Sequence, residues 1–461
     1  MHVEGHPDQK WPELPKLNAL EEQAKRLGEE FHRRFKRAPI TTTFKDGLNN
    51  MGVNQHKSTL TGQDTTGVND GSKNSTLMNY LPDAWNHGAE MYFLFQPNLL
   101  ISRFCGCEVR YIKPVKQGEN KWTVHFAWHG DKRGEFEDSI YTALMWVQAK
   151  EFVFLGAGTF GTTEILLRSK AYGLKVSPAL GKGMSGNGDI LAFAYNTDQI
   201  VNGIGTEDEE YLKENPVGPC ITGIIDMRDA EVAPDVLDGY VIEEGVVPEV
   251  LAQILGPMLH LTPDKVKPKG RSLGELLRSA SSKLKSEVAG PWKHGGALNR
   301  TLTYLIMSHD DNQAYMSLEN NKPALRFNGV ARSKHVEFLD QILATGANRL
   351  HGTFERNPFY APEFGGAEIT VHPIGGANMS SDGTGQKGVT NHLGQVFQGL
   401  GQEVHDGLVV VDGAVVPAAL GVNPFATITA LAERSVEKLA IQKGWNIDYD
   451  TKNGILSFNH A

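Results

Sequence analysis

The sequence feature that most constrains the fold is a glycine-rich turn at residues 156–161, with the pattern Gly-x-Gly-x-x-Gly. It follows an apolar run at residues 152–155 and precedes a helical pattern at residues 162–168. This order is typical of a dinucleotide-binding unit, in which Gly156 and Gly158 admit the backbone and the helix amides attract a pyrophosphate. The order predicts a fold with α/β character.

Two observations favour a packing turn over a pyrophosphate site at these residues. A dinucleotide-binding unit places an acidic residue about 20 positions further on for the ribose, and residues 175–185 contain none. The turn also follows an antiparallel strand pattern instead of opening the fold. A dinucleotide-dependent dehydrogenase therefore ranks last among the functional hypotheses.

Hydrophobic periodicity predicts helices mixed with antiparallel strands. Apolar residues from Leu17 to Phe35 recur at helical spacing and predict one helix that ends before Pro39. Residues 264–285 are basic and polar, which favours a solvated surface element over a binding patch. The other predicted elements are a loop at residues 41–74, strands at 109–115, 122–128, 142–154, 221–225, 303–307 and 407–411, and helices at 78–84, 247–261 and 424–443.

Composition excludes several classes of protein. The 461 residues carry 45 Lys and Arg against 54 Asp and Glu, so the formal charge is −9 and the basic surface of a nucleic-acid binder is not expected. The most apolar stretch, residues 91–105, is interrupted by polar side chains, whereas a bilayer span needs about 20 apolar residues. Without a signal peptide at its start, the chain is predicted to be cytoplasmic. Cys105 and Cys107 lack the second ligand pair of a zinc site, so no metal is expected.

His372 stands before a rigid, glycine-rich segment. Pro373 follows it directly, and the pair Gly375 and Gly376 comes next. Such a segment holds the imidazole in place and lets a flat ligand approach the backbone, and an imidazole exchanges protons near neutral pH. Taken alone, a core or surface role for this histidine is still the commoner outcome.

A third motif joins a buried strand to the start of a helix. The strand at residues 407–411 ends in Asp412 and Gly413, and the last helix starts at Asn423-Pro424-Phe425. Proline at the first helical position, with a polar residue before it, is a strong start signal. The helix N-terminus directs its amides and positive dipole at an anion or an electron-rich ring. Simple capping of the helix by Asn423 is the alternative.

Together these motifs resemble the C-terminal signature of the glucose–methanol–choline (GMC) oxidoreductases, in particular the cholesterol-oxidase-like branch. Residues 71–84, 109–112, 152–168 and 184–189 also resemble that branch, and the similarity extends from about residue 12 to 443. The resemblance implies a mixed α/β (α+β) fold, with an incomplete Rossmann-like FAD-binding domain and a substrate domain built on an antiparallel sheet. It divides the chain into an N-terminal remnant (1–108), an FAD-binding segment (109–200), a substrate domain (201–365) and a C-terminal segment (366–445).

The resemblance also implies FAD as the cofactor and oxidation of an alcohol, with a sterol 3-hydroxyl as substrate and dioxygen as electron acceptor. In this scheme the cofactor takes the hydride and a neutral imidazole takes the hydroxyl proton. His372 and Asn423 match the catalytic pair that flanks the flavin. The implied cofactor contacts are Asn74, Val109, Gly156, Gly158, Asp412, Gly413, Pro424 and Phe425.

Three departures from the family pattern accompany the resemblance. The strand and glycine-rich turn that bind the FAD pyrophosphate are not found before residue 150, so an inactive fragment that cannot retain FAD is the alternative function. An apolar block at residues 92–103 is expected to be an insertion or translated non-coding sequence. Steroid-oxidising members place a carboxylate before a substrate-domain strand, and the nearest stretch here, residues 297–301, has none. Because no role is assigned to Glu243 or Glu244, isomerisation of a steroid double bond is not expected.

Overall fold

The computed structural model describes residues 4–5, 13–91, 107–128, 144–261, 266–327, 332–358 and 369–449. Cys105 and the apolar block at residues 92–103 lie outside the described residues. The described residues form a mixed α/β fold with antiparallel sheets, which confirms the predicted fold class.

The bounds of the elements are as follows. The described helices are α1 (Pro15–Leu27), α2 (Glu29–His32), α3 (Tyr80–Asn86), α4 (Gly158–Ala171), α5 (Glu209–Glu214), α6 (Glu249–Leu261), α7 (Leu273–Ala289), α8 (Ser333–Arg349) and α9 (Phe425–Gln442). The described strands are β1 (Glu4–Gly5), β2 (Phe35–Arg37), β3 (Pro39–Ile40), β4 (Gly47–Leu48), β5 (Asn54–Gln55), β6 (Cys107–Pro114), β7 (Trp122–Trp128), β8 (Met145–Ala149), β9 (Val153–Leu155), β10 (Ile190–Tyr195), β11 (Gly223–Met227), β12 (Tyr240–Gly245), β13 (Leu302–Met307), β14 (Tyr315–Glu319), β15 (Lys322–Arg326), β16 (Thr353–Arg356), β17 (Gln395–Phe397) and β18 (Val404–Val410). None of the described helices combines the length and apolar character that a bilayer crossing requires.

The largest sheet has six antiparallel strands in the order β16-β10-β13-β12-β11-β2. β12 is buried along its whole length, and α1 and α8 contribute to the apolar core that covers one face of the sheet. Because side chains alternate along a strand, the neighbours Glu243 and Glu244 point to opposite faces. This register places one carboxylate on each side of the sheet.

A smaller sheet contains β17, β18 and β9. β18 pairs with β9 in parallel, with Leu408 opposite Val153 and Val410 opposite Leu155. The glycine-rich turn follows β9 and leads directly into α4, as the sequence order predicted. The side chains of α4, β9 and β18 share one apolar core. β6, β7 and β8 form a separate antiparallel sheet.

The loop predicted at residues 41–74 contains the short strands β4 and β5. Two further predicted elements were wrong in extent. The single helix expected from Leu17 to Phe35 is interrupted at Gly28, whose φ of 128° lies outside the helical region, and Phe35 instead begins β2, opposite Ile225. The strand expected at residues 142–154 is two strands, β8 and β9, which belong to different sheets. Both errors arose where a local turn interrupts an otherwise continuous apolar pattern.

Candidate active site

His372 is held by the carboxylate of Asp189, which immediately precedes β10. Asp189 Oδ2 accepts hydrogen bonds from His372 Nδ1 at 2.9 Å, from the Val371 amide at 2.9 Å and from the Thr370 hydroxyl at 3.1 Å. Because an ionised carboxylate only accepts, the proton of the neutral ring resides on Nδ1. The other ring nitrogen, Nε2, then carries the lone pair that accepts a proton.

The surroundings of His372 make it a stronger base than a free imidazole. Burial lowers its pKa, but the hydrogen bond to Asp189 and the charges of Asp189 and Glu243 outweigh burial, so the pKa lies above its usual value. An imidazole with a raised pKa takes up a proton more readily.

Asn423 contacts a buried carboxyl group that sequence analysis left without a role. Its side-chain amide donates to Glu243 Oε2 at 3.3 Å, and Glu243 is only 1% exposed. Burial raises the pKa of Glu243 to about 7, although the Asn423 hydrogen bond and the charge of His372 oppose this shift. His372 and Asn423 therefore both act on the same buried carboxyl group.

The loop that presents Asn423 is fixed by Asn187. The Asn187 side-chain amide donates to the Val422 carbonyl at 2.9 Å, and its Oδ1 accepts from the Leu420 amide at 2.8 Å. Gly421 has a φ of 61°, and a Cβ there would lie 2.6 Å from His309 Nε2, so only glycine fits. One short segment before β10 thus holds both arms of the site: Asn187 holds the Asn423 loop and Asp189 holds His372.

The side chain of Asp412 binds to the turn at residues 156–161 and to the start of α4. Asp412 Oδ2 accepts from the Gly158 amide at 3.0 Å and from the Thr162 hydroxyl, and Asp412 Oδ1 accepts from the Ala414 amide at 2.9 Å. The carboxylate therefore occupies the N-terminus of α4, where a pyrophosphate would otherwise bind. The geometry fits the packing turn, and it argues against a dinucleotide site at Gly156 and Gly158.

The glycines around His372 serve protein packing. A Cβ on Gly375 would lie 2.5 Å from the Gly183 carbonyl, one on Gly376 would meet the Thr163 hydroxyl, and one on Gly413 would lie 2.8 Å from Thr159 Oγ1. Protein atoms therefore fill the space that a side chain would need at these positions, and the approach of a flat ligand to the Gly375–Gly376 backbone stays a prediction.

Asn74 and Val109 lie in other parts of the structure. Asn74 lines a cavity of about 500 Å³ together with Asn79, Tyr80 and Glu433 of α9, and it accepts a hydrogen bond from Asn79 at 3.3 Å. Val109 lies on β6 opposite Phe126 and packs against the core that contains α4. Their proposed contacts with the cofactor stay predictions.

The N-terminus of α9 offers a fit for the ring portion of FAD. Pro424 occupies the N-cap position, no side chain caps the helix and its first turn holds no acidic residue. Capping by Asn423 is therefore not observed, because its side chain reaches Glu243 instead. The first amides of a helix have no partner within the helix, and here they lie beside Asn423 and the exposed side chain of Phe425. Such donors suit the electron-rich edge of a flavin ring.

Sequence analysis missed Asp189, Asn187 and Glu243. The Glu243–Glu244 pair was a usable signal, since two adjacent carboxylates within an apolar strand must each find partners when buried. No role was assigned to Glu243 from the sequence, and the structure places it on β12 in contact with Asn423. Nothing in the local sequence around Asp189 points to His372, which is 183 positions away.

Comparison with known proteins is consistent with this geometry. Residues 319–432 match the family model described as GMC oxidoreductase. A cholesterol oxidase from Acinetobacter baumannii is 42% identical over 68 residues, which cover 15% of this chain and 11% of that protein. A cholesterol oxidase from Mycobacterium tuberculosis H37Rv is 25% identical over 394 residues, which cover 80% of this chain and 57% of that protein. The chain thus spans little more than half the length of the longer match.

Solved structures with a similar arrangement include pyridoxine 4-oxidase from Mesorbium loti, with a TM-score of 0.49 and 14% identity over 95% of this chain and 71% of that one. A fungal aryl-alcohol oxidase has a TM-score of 0.49 and 15% identity over 94% of this chain and 72% of that one. The family model covers the segment that carries both His372 and Asn423. This match makes residues 319–432 similar to the GMC oxidoreductase family.

Proposed function

We propose that this chain carries the active site of an FAD-dependent alcohol oxidase, with a sterol 3-hydroxyl as substrate and dioxygen as electron acceptor. The observation that carries the proposal is the hydrogen bond from Asn423 to the buried carboxyl group of Glu243, which also interacts with the charge of His372. The cholesterol oxidases among the relatives support a sterol as the substrate.

The residues of the site suit removal of the hydroxyl proton. With Nδ1 committed to Asp189, His372 Nε2 accepts that proton as the carbon–hydrogen bond breaks. The amide of Asn423 donates to Glu243, which leaves its carbonyl oxygen to accept from the substrate hydroxyl and orient it. FAD, held by the N-terminus of α9 with Pro424 and Phe425, would supply the acceptor for the hydride.

Glu243 adds a second proton-transfer group. With a pKa of about 7 it is present in both protonation states near neutral pH, which suits a general acid or base. In the oxidised substrate this group could move a proton on a carbon beside the new carbonyl. The proposal therefore includes double-bond isomerisation, which the sequence alone did not favour.

The first experiment is a titration of the purified protein with FAD, followed by visible absorbance. Bound flavin with stoichiometric absorbance bands supports the proposal, and a colourless protein that ignores added FAD supports the inactive-fragment alternative and overturns it. With flavin bound, His372→Ala should lower turnover of cholesterol by about 10²–10⁴-fold without releasing flavin. The exposed His56→Ala is the matched control and should leave turnover unchanged. Full turnover by His372→Ala would remove His372 from the mechanism.

A further inference from the structure

Helix α7 is attached to the rest of the molecule by its polar face. Its buried side chains are Ser279 and Ser282. The carbonyl and hydroxyl of Ser279 accept from Asn196 Nδ2 at 3.1 and 3.0 Å, and the Ser282 carbonyl accepts from the Ala297 amide at 2.8 Å. The Ser286 hydroxyl accepts at 3.1 Å from the amide of Leu298, which follows Ala297 in the sequence. Hydrogen bonds, and not an apolar seam, therefore hold the inner side of the helix.

The outer side of α7 is apolar. Leu273, Leu277, Leu284 and Val288 recur at helical spacing and form one stripe opposite the serines. They are between 60 and 78% exposed. The sequence predicted a solvated surface element at residues 264–285. The outer face of α7 is exposed as predicted, but its side chains are apolar. Soluble monomers rarely leave a continuous apolar stripe of this kind uncovered.

Helix α6 adds further exposed apolar side chains. Val250, Leu251 and Ile254 are exposed, whereas Leu255 and Leu259 on its inner side pack with residues 297–298. Because α7 is hydrogen-bonded to the same two residues, both helices are anchored to one short segment. We refer to the exposed apolar side chains of α6 and α7, with the charged side chains of residues 266–289, as the α6–α7 surface.

The charge of this region distinguishes between possible occupants. Residues 266–289 have a net charge of +4, within a chain of formal charge −9. The basic side chains are Lys267, Lys269, Arg271, Arg278, Lys283 and Lys285, and the acidic ones are Glu275 and Glu287. Arg271 and Arg278 donate to the carbonyls of His351 and Thr197, and Lys283 lies over the Tyr195 ring, so Lys267, Lys269 and Lys285 are the basic groups that can meet headgroups. A second copy that packed the same face against this one would bring like charges together. Anionic lipid headgroups complement both the basic residues and the apolar stripe.

We propose that the α6–α7 surface binds peripherally to bilayers that contain anionic phospholipid. Helix α7 lies in the plane of the interface, with Leu273, Leu277, Leu284 and Val288 in the acyl boundary. The lysines that flank this stripe lie at the level of the headgroups. The proposal does not depend on flavin binding or on turnover, so it stands or falls separately from the proposed function.

The test is flotation of the full chain with vesicles of phosphatidylcholine, with and without phosphatidylserine. We expect binding to the mixed vesicles that weakens with added salt, and little binding to phosphatidylcholine alone. The variant Leu277→Glu with Leu284→Glu should reduce the partition coefficient at least about tenfold. The control is Leu48→Glu with Leu400→Glu, which makes the same charge change at two leucines that are each 56% exposed, and it should bind as the parent does.

Three results would overturn the proposal. They are the absence of binding to mixed vesicles, equal loss of binding in the α7 variant and the control, and equal binding of the α7 variant and the parent. Light scattering on the parent and the α7 variant tests whether a second copy of the chain covers the surface instead. A dimeric parent and a monomeric α7 variant would show that it does and would also overturn the proposal. Thermal unfolding of both variants verifies that they are folded.

Discussion

The two faces of β12 carry adjacent buried glutamates in very different surroundings. On one face, both carboxylate oxygens of Glu244 accept from Lys16 Nζ, at 2.7 and 2.8 Å, and the amide of Thr222 donates at 2.5 Å. Lys16 and Glu244 are both completely buried. On the other face, Glu243 has the Asn423 amide at 3.3 Å as a hydrogen-bond donor and lies close enough to His372 for their charges to interact.

The difference shows how one strand supports both an anchor and a reactive group. Burial raises the pKa of both carboxyl groups. At Glu244 the charge of Lys16 and the hydrogen bonds from Lys16 and Thr222 oppose this shift and fix α1 to the sheet, whereas Glu243 has few donors and keeps a proton until near neutral pH. A perturbed carboxyl group beside an imidazole and an amide is typical of an active site. The following substitutions test this contrast, from the largest expected effect to the smallest.

Lys16→Met should be the most damaging, because it leaves the Glu244 carboxylate buried without its cation. We expect a loss of about 3–5 kcal/mol in the free energy of unfolding, measured by urea denaturation. The control is Lys25→Met, which removes an exposed pair with Glu21 on the same helix and should cost less than about 0.5 kcal/mol. Equal losses in the two variants would mean that the buried pair is not an anchor.

Glu243→Gln should change how stability depends on pH. The pKa of Glu243 is raised from 4.5 to about 7 in the folded chain, so the folded state binds this proton more tightly than the unfolded state. The resulting stabilisation is complete below pH 4.5 and is lost as the pH rises through 7. The parent should therefore lose up to about 3 kcal/mol over this window relative to the variant. Urea denaturation across the pH range measures the difference, and a difference that does not vary with pH would contradict the assignment.

Asn423→Ala should have a smaller effect of the same kind. Its amide favours the ionised form of Glu243, so its removal should raise the pKa of Glu243 further, at a cost to the ionised form of about 1 kcal/mol. The midpoint pH at which the free energy of unfolding declines should therefore increase, as measured by urea denaturation across the same pH range. Thr427→Ala, in the first turn of α9, is the control and should leave the decline in place. An unchanged midpoint in Asn423→Ala would break the link between Asn423 and Glu243.

The sequence was informative about the fold wherever the pattern was local. β7 agrees with its predicted bounds, since alternation within Trp122–Trp128 sets a strand without help from distant residues. The predicted helix does not continue beyond Gly28, because the conformation of this glycine ends α1. Phe35 lies instead in β2, which pairs with β11. Strand pairing between distant segments is not encoded in a local window.

The candidate site was predictable to the same degree. His372 and Asn423 stand in local motifs that the sequence displays, so both could be singled out before the structure. Asp189 and Glu243 reach them only through the register of β10 and β12, since the Glu243–Asn423 contact joins residues 180 positions apart. The roles of His372 and Asn423 in catalysis stay predictions, whereas the hydrogen bond from Asn423 to Glu243 is a feature of the structure.

The most direct test of the shared site is the titration of His372 by NMR of histidine-labelled protein. Asp189 and Glu243 both raise the pKa of His372, so Asp189→Asn and Glu243→Gln should each lower it relative to the parent. Glu249→Gln, which removes a carboxylate bonded to Gln63, is the control and should leave it unchanged. A His372 that titrates identically in the parent and in Glu243→Gln would show that the two groups do not share a site.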